Sequence, residues 1–307
     1  MSILVNNQTG DSQPWADALV CYLPHMKVHI YPDIPDLEAI EYAVVWQHPL
    51  GDLLNYPNLK AVLILGAGMD HIDKEPVLPS APIVRLLDPA VADEMSQYVL
   101  YWTMHFQRCY QRYAKQAENK HWQRHMTPLS RNYRVSVIGA GVIGSAIAER
   151  LALNGFASQC WNRSKRNLVN VKMFDGDYGL NSMLAETDVL VNCLPLNTYT
   201  EHFLNHQRLS NLPRGASIIN VSRGAVIDDD ALISLLDSSH IINAALDTFK
   251  LEPLSESSKY WGRDNVFITP HMSGSTYPSL AGEVIADNIK RVENGEQPFP
   301  IYCRDNN

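Results

Sequence analysis

Short apolar runs rich in Val, Ile and Leu alternate along the chain with stretches of helical period. In the first third, Ile3–Val5, Val28–Tyr31, Ala43–Trp46, Ala61–Leu65 and Ile83–Arg85 read as strands. The period then changes. Val91, Met95, Tyr98, Val99, Trp102 and Phe106 recur at helical spacing, which predicts one long helix over Val91–Lys115. The polar, aromatic stretch His121–Tyr133 reads as an irregular connection. A second strand series follows at Val135–Ile138, Gln159–Trp161, Val189–Cys193, Ser217–Asn220, Ile242–Leu246 and Val266–Ile268. Helices are expected among these strands, most clearly at Ile143–Asn154 and Asp228–Ser238. The latter opens on three Asp residues, which suit the positive end of a helix. Ser279–Asn294 is helical and stops at Gly295; it is too short to be a domain and must pack on something already built.

Alternating strands and helices predict an α/β protein with doubly wound parallel sheets. At about 150 residues per domain, 307 residues make two domains. The boundaries expected are residues 1–95 with 276–307 for one domain and 96–275 for the other. The long helix and the C-terminal helix would form the two crossings.

Composition narrows the function classes. The net charge of −8, from 25 Lys and Arg against 33 Asp and Glu, argues against a nucleic-acid partner. Five scattered cysteines with no CxxC pair suggest neither a disulfide framework nor a zinc site, and fit a reducing compartment. The start of the chain lacks the charged and apolar regions of a signal peptide. The most apolar stretch, Val135–Leu153, carries Glu149, Arg150 and three glycines, so it reads as strand, turn and helix rather than a membrane span. A soluble, cytoplasmic protein with no membrane partner is expected.

The strongest motif is Gly139-Ala140-Gly141-Val142-Ile143-Gly144, which follows one predicted strand and opens a helix. Gly139 permits the tight turn, Gly141 lets backbone approach a pyrophosphate, and Gly144 allows close packing of helix on strand. Val142 and Ile143, between these glycines, join the candidate cofactor contacts. A bare glycine turn is the plainer alternative. Gly66-Ala67-Gly68 also follows a strand, but His71 stands where the third glycine would be, so it fails the pattern. About 20 residues beyond the glycines, an acid would select NAD and an Arg NADP. Here the strand ends Asn162-Arg163-Ser164-Lys165-Arg166, with no acid, so NADPH is expected over NADH. A solvated basic loop is the competing explanation.

Three further segments leave predicted strands: Asn220-Val221-Ser222-Arg223-Gly224, Asp247-Thr248-Phe249-Lys250-Leu251-Glu252-Pro253-Leu254 and Thr269-Pro270-His271. Ligands of open α/β sheets bind beyond such strand ends, so an Arg, a Glu and a His could converge there. Two histidine pairs, His121/His125 and His202/His206, have the i, i+4 spacing of helical metal ligands. They lack the Glu of HExxH and a third ligand, so no metal is expected.

Together these segments, in this order and spacing, resemble the D-isomer-specific 2-hydroxyacid dehydrogenases over nearly the whole chain. The nearest likeness is to the bacterial glyoxylate/hydroxypyruvate reductase A group. Leu65-Gly66-Ala67-Gly68-Met69-Asp70, Arg85-Leu86-Leu87-Asp88 and Leu194-Pro195-Leu196 support it. The resemblance implies a Rossmann-type cofactor domain inserted into a flavodoxin-like substrate domain, an interdomain cleft for substrate, and a homodimer. It implies NADPH-dependent reduction of a small 2-oxo acid, with glyoxylate and hydroxypyruvate foremost. His271 would be the proton donor, its pKa raised by a paired Glu252. Arg223 would bind the acid and polarise its ketone. Ala67, Gly68 and Met69, in the turn after Gly66, would bind the substrate carboxylate, and Trp46 would wall the pocket. Asp247 would contact the nicotinamide carboxamide. Leu194, Pro195 and Thr200 would line the adenosine-ribose side, with Val221 and Ser222 also at the cofactor. Ser164 and Lys165 would assist Arg163. Asn197 stands where the family often has Thr, and Met272 where it usually has a smaller residue. A reductase of a bulkier 2-oxo acid, such as phenylpyruvate, and a non-catalytic dinucleotide sensor are the alternatives. The complete Arg223, Glu252 and His271 set weighs against a sensor, which needs no proton donor.

Overall fold

The near-continuous apolar runs become strands buried on both faces, as parallel sheets covered by helices require. The computed structural model describes residues 1–304. The first stretch forms β1 (Ser2–Asn7), α1 (Gln13–Tyr22), β2 (Lys27–Ile30), β3 (Ile40–Trp46), β4 (Ala61–Ile64), α2 (Asp70–Asp73) and β5 (Ile83–Val84). Two helices follow, α3 (Pro89–Arg108) and α4 (Tyr110–Glu118). The second series is β6 (Arg134–Ile138), α5 (Val142–Leu153), β7 (Ala157–Asn162), β8 (Lys172–Asp175), α6 (Gly176–Leu184) and β9 (Val189–Asn192). It continues with α7 (His206–Ser210), β10 (Ala216–Asn220), α8 (Asp229–Asp237), β11 (Ile241–Leu246) and β12 (Val266–Ile268), and α9 (Pro278–Glu293) comes last.

The chain divides into two compact units. One is Met1–Ala90 with the chain from Thr276 onward; the other is Val91–Ser275. The first unit holds a five-stranded parallel sheet in the order β2-β1-β3-β4-β5. Ile3, Val5, Tyr42, Val44 and Leu63 cluster on one face with Leu19 of α1 and Ile285 and Ile289 of α9. Ala43, Val45, Val62 and Ile64 form a separate cluster with Ile72. The C-terminal helix thus completes the first unit by packing on α1, and the approach is close: a Cβ on Gly282 would lie 3.0 Å from the Ala18 Cβ.

The second unit holds a seven-stranded parallel sheet in the order β12-β11-β10-β9-β6-β7-β8. From β6 the chain builds outward to β7 and β8, then returns to place β9 on the other side. The reversal between β6 and β9 is where open α/β sheets bind ligands.

Two expectations need correction. The helix over Val91–Lys115 is two helices, broken at Cys109, whose φ of 55° is left-handed. The reason is visible in burial: α3 buries Val91, Met95, Val99, Trp102 and Phe106, whereas α4 buries no residue, so no packing face forces one axis. The strand β8 was not foreseen; its Lys-Met-Phe-Asp lies at a sheet edge and carries no clean alternation. His121–Tyr133 is irregular apart from a short 3₁₀ turn at Ser130–Asn132.

Gly282→Leu should force α9 away from α1. We expect a loss of about 1–3 kcal/mol of unfolding free energy, the usual cost of overpacking, read from urea denaturation.

Candidate active site

In the second unit, the catalytic candidates stand at the carboxyl ends of three adjacent strands. Arg223 follows β10, Glu252 lies on the loop leaving β11, and His271 comes three residues after β12. The His271 Nδ1 lies 2.8 Å from Glu252 Oε2. The other carboxylate oxygen, Oε1, accepts the Phe249 N–H at 2.8 Å, so the loop itself aims the carboxylate. Burial pulls the Glu252 carboxyl upward. The hydrogen bonds from His271 and Phe249 and the positive charges of His271 and Arg223 outweigh that and hold it below the ordinary carboxylate range.

Arg223 is drawn to the same place by a close backbone approach. A Cβ on Gly224 would sit 2.1 Å from the Phe249 carbonyl carbon, so only glycine lets the turn after β10 pack on the loop carrying Glu252. The Arg223 guanidinium also donates to the Ser222 carbonyl at 2.8 Å.

Asp247 positions His271. Its side chain is fully buried. Oδ1 accepts from Thr269 Oγ1 at 2.6 Å and Met272 N–H at 2.9 Å, and Oδ2 accepts Ser273 N–H at 2.9 Å. The His271 N–H is donated to the Asp247 carbonyl at 2.8 Å. His271 is held at φ 52°, a left-handed conformation costing a non-glycine residue about 1–3 kcal/mol unless its surroundings impose it. The Thr269 hydroxyl gives its one proton to Asp247, so it accepts from Tyr98 Oη at 2.7 Å. Burial leads the pressures that push the Tyr98 hydroxyl up to about 12, which keeps it a donor. Sequence reasoning missed Tyr98 and Thr269 in this role, because Tyr98 shares the apolar stripe of α3.

The glycine loop fits a dinucleotide. Gly139 has φ 99°, and a Cβ there would lie 2.9 Å from the Cys193 carbonyl oxygen. A Cβ on Gly144 would lie 1.9 Å from the Gly139 carbonyl oxygen. Above Gly141 nothing lies within 4 Å, so its backbone is open to a ligand, and it is the N-cap of α5. Val142 is exposed and Ile143 half-buried beside it. Across the switch point, Leu194 is buried and Pro195 exposed, and the Thr200 hydroxyl donates to the Pro195 carbonyl at 2.5 Å. Asn197 shapes this loop by accepting the Tyr199 and Thr200 N–H groups at 3.0 and 3.1 Å. Val221 is buried, and Ser222 donates through Oγ to the Leu194 carbonyl. A buried pair overlooked in the sequence, Asn192 and Asn220, ties the ends of β9 and β10 at 2.9 Å. Arg163, Ser164, Lys165 and Arg166 are all exposed just past β7, and Asn162 holds the turn by donating to the Ser164 carbonyl at 3.0 Å.

In the first unit, Trp46 ends β3 and Ala67, Gly68 and Met69 follow β4. A Cβ on Gly66 would lie 2.7 Å from the Trp46 ring, so the indole rests on the glycine that opens this turn. Among the described residues there is no cluster of three or more metal-ligating side chains, and no helix is long and apolar enough to cross a membrane. His121 and His125 stand on irregular chain rather than on a helix face.

The family profile described as D-isomer specific 2-hydroxyacid dehydrogenase, NAD binding domain, matches residues 100–273. A D-isomer specific 2-hydroxyacid dehydrogenase from Xanthobacter autotrophicus Py2, solved with NADPH and MES, is 36% identical over 98% of both chains, with a TM-score of 0.94. An NADPH-dependent glyoxylate/hydroxypyruvate reductase from Sinorhizobium meliloti, solved with NADP and sulfate, is 31% identical over 98% of both chains, with a TM-score of 0.92. A probable 2-hydroxyacid dehydrogenase from Rhizobium etli CFN 42, solved with NADP, HEPES and L(+)-tartaric acid, is 27% identical over 98% of both chains, with a TM-score of 0.90.

Because the fold lowers the Glu252 pKa, it favours the charged form. That contribution to stability is complete above the ordinary carboxylate range and is lost as pH falls through the lowered value. The melting-temperature gap between the parent and Glu252→Gln should therefore shrink as pH falls below about 4.

Proposed function

The chain belongs to the D-isomer-specific 2-hydroxyacid dehydrogenase family, and from that premise we propose that it is an NADPH-dependent reductase of small 2-oxo acids, glyoxylate and hydroxypyruvate foremost. The observation that carries this reading is the 2.8 Å clasp of His271 by Glu252 beside Arg223. A protein that only sensed the dinucleotide would have no use for a positioned proton donor.

When bound, the reduced nicotinamide supplies the hydride. The chain's own residues do the rest. Glu252, as a carboxylate, can only accept, so Nδ1 of His271 carries a hydrogen and Nε2 is the nitrogen that hands over a proton. That proton goes to the carbonyl oxygen as the carbonyl carbon is reduced, leaving a neutral imidazole still held by Glu252. The Arg223 guanidinium would hold the acid and stabilise charge gathering on its ketone oxygen. The turn over Ala67, Gly68 and Met69 would give N–H groups to the substrate carboxylate, and Trp46 would bound the pocket. Gly139, Gly141 and Gly144 with the start of α5 would receive the pyrophosphate. Asp247 would set the nicotinamide end through the loop it organises.

The phosphate that distinguishes NADP would meet Arg163, with Ser164 and Lys165 beside it. Asn162 occupies the strand end where an acid would repel that phosphate. The Sinorhizobium relative, NADPH-dependent by name, supports the same preference. A homodimer is part of this reading. It would cover Tyr101, Met104, Tyr110, Trp122, Met126 and Leu129, large apolar side chains exposed along α3, α4 and the segment after them.

His271→Gln should lower kcat for glyoxylate by about 10²–10⁴-fold while NADPH affinity, read by fluorescence, changes little. Retained turnover would refute the assignment. In a panel crossing both cofactors with several 2-oxo acids, NADPH should exceed NADH in kcat/KM by roughly tenfold to a hundredfold, the worth of charged hydrogen bonds to one phosphate. Arg163→Ala should erase most of that gap.

A further inference from the structure

The first unit contains a buried ionisable pair outside the catalytic set. His48 and Glu75 each have side chains only 1% exposed, and His48 Nε2 lies 2.8 Å from Glu75 Oε1. Glu75 Oε2 accepts the Gly51 N–H at 2.9 Å. The backbone of Glu75 is anchored as well: its carbonyl, with those of Ile72 and Asp73, accepts from the Arg304 guanidinium at 2.8, 2.7 and 3.2 Å. Burial lowers the proton affinity of His48, against the pull of Glu75 and Asp52.

Removing two ionisable groups from water costs more than an apolar pair of the same volume would, so stability alone does not account for the pair. What the pair supplies is orientation. Glu75 is fixed by Gly51 on one side and faces the His48 ring on the other. The His48 ring stands edge-on to His71, centroids 5.7 Å apart at 82°. The His71 ring in turn meets Trp46 at 4.8 Å and 61°. Trp46 rests on Gly66, and His71 lies in α2, directly after the Gly66–Met69 turn. A single line of contacts therefore runs from a buried carboxylate to both segments that the proposed function assigns to the substrate.

We propose that the His48–Glu75 pair is a positioning element for the 2-oxo acid: through His71 and Trp46 it sets how tightly the substrate is held, without entering the reaction. The inference rests on the reductase reading above. Both side chains are closed to solvent and turned to each other and to Gly51, so the expected effect falls on KM and not on kcat.

The test uses the full-length protein with NADPH, glyoxylate turnover, and binding of oxamate, an unreactive 2-oxo acid mimic, by calorimetry. Glu75→Ala removes the contacts to both His48 and Gly51. It should raise KM for glyoxylate and Kd for oxamate about tenfold, with kcat and NADPH affinity within about twofold, since loosened positioning is felt in substrate binding. Glu75→Gln keeps an acceptor for Gly51 and a polar group toward His48, and should restore KM to within about threefold of the parent. Should Glu75→Ala fail to fold, His48→Gln removes the ring that touches His71 and carries the same expectation. Unchanged oxamate binding in the folded variant overturns the proposal. So does a parallel fall in kcat, NADPH affinity and melting temperature, which marks a merely structural pair. Failure of the parent protein itself to bind oxamate or reduce any 2-oxo acid overturns the reductase reading, and this inference with it.

Discussion

One buried carboxylate organises the candidate site of the second unit. Asp247 has no access to solvent, and a carboxylate in that position must find hydrogen bonds or pay a desolvation cost. It finds three, all from the segment after β12: the Thr269 hydroxyl and the Met272 and Ser273 N–H groups. Satisfying them curls that segment around the end of β11. His271, in the middle, is carried into a left-handed conformation that its side chain would not choose. Its ring then meets Glu252, which leaves the same β11 strand end by the other route. His271 is thus placed by a side chain that is itself closed to solvent.

The parallel sheet does the rest of the assembly. Because β10, β11 and β12 are neighbours running the same way, whatever follows each strand emerges on one edge. Arg223, Glu252 and His271 need only be close to their strand ends to be close to one another. Glycines remove the last obstacles. Gly224 lets the Arg223 turn rest directly on the Phe249 backbone, and Gly144 lets α5 rest on the turn at Gly139. Any side chain at either point would occupy space already filled by backbone.

Charge follows the same local logic. A chain of net charge −8 is a poor partner for polyanions, yet the proposed ligands are anions. The arrangement places exposed Arg163, Lys165 and Arg166 together after β7 and Arg223 near the Glu252–His271 pair. Net charge governs long-range association, while a ligand responds to the cations within a Debye length.

How much of this could be read from residue order depends on the range of the interaction involved. Strands buried on both faces announce themselves as apolar runs, and the glycine motif lies within six consecutive residues, so the α/β class and the dinucleotide loop were legible; Arg223, Glu252 and His271 became candidates as a set only through the resemblance of their segments to a family. The edge strand β8 was not, because half-exposed residues at a sheet margin carry no alternation. Nor was the break at Cys109, where helical spacing continues after the buried face has ended. The supports of the site were hidden most completely. Tyr98 and Thr269 are 171 residues apart, and His48 and Glu75 look like ordinary polar loop residues until folding buries them together. Backbone propensity and hydrophobic period act between near neighbours and are written in order along the chain. Which polar groups must satisfy one another once water is excluded depends on what the completed sheets bring together, and only the folded chain settles it.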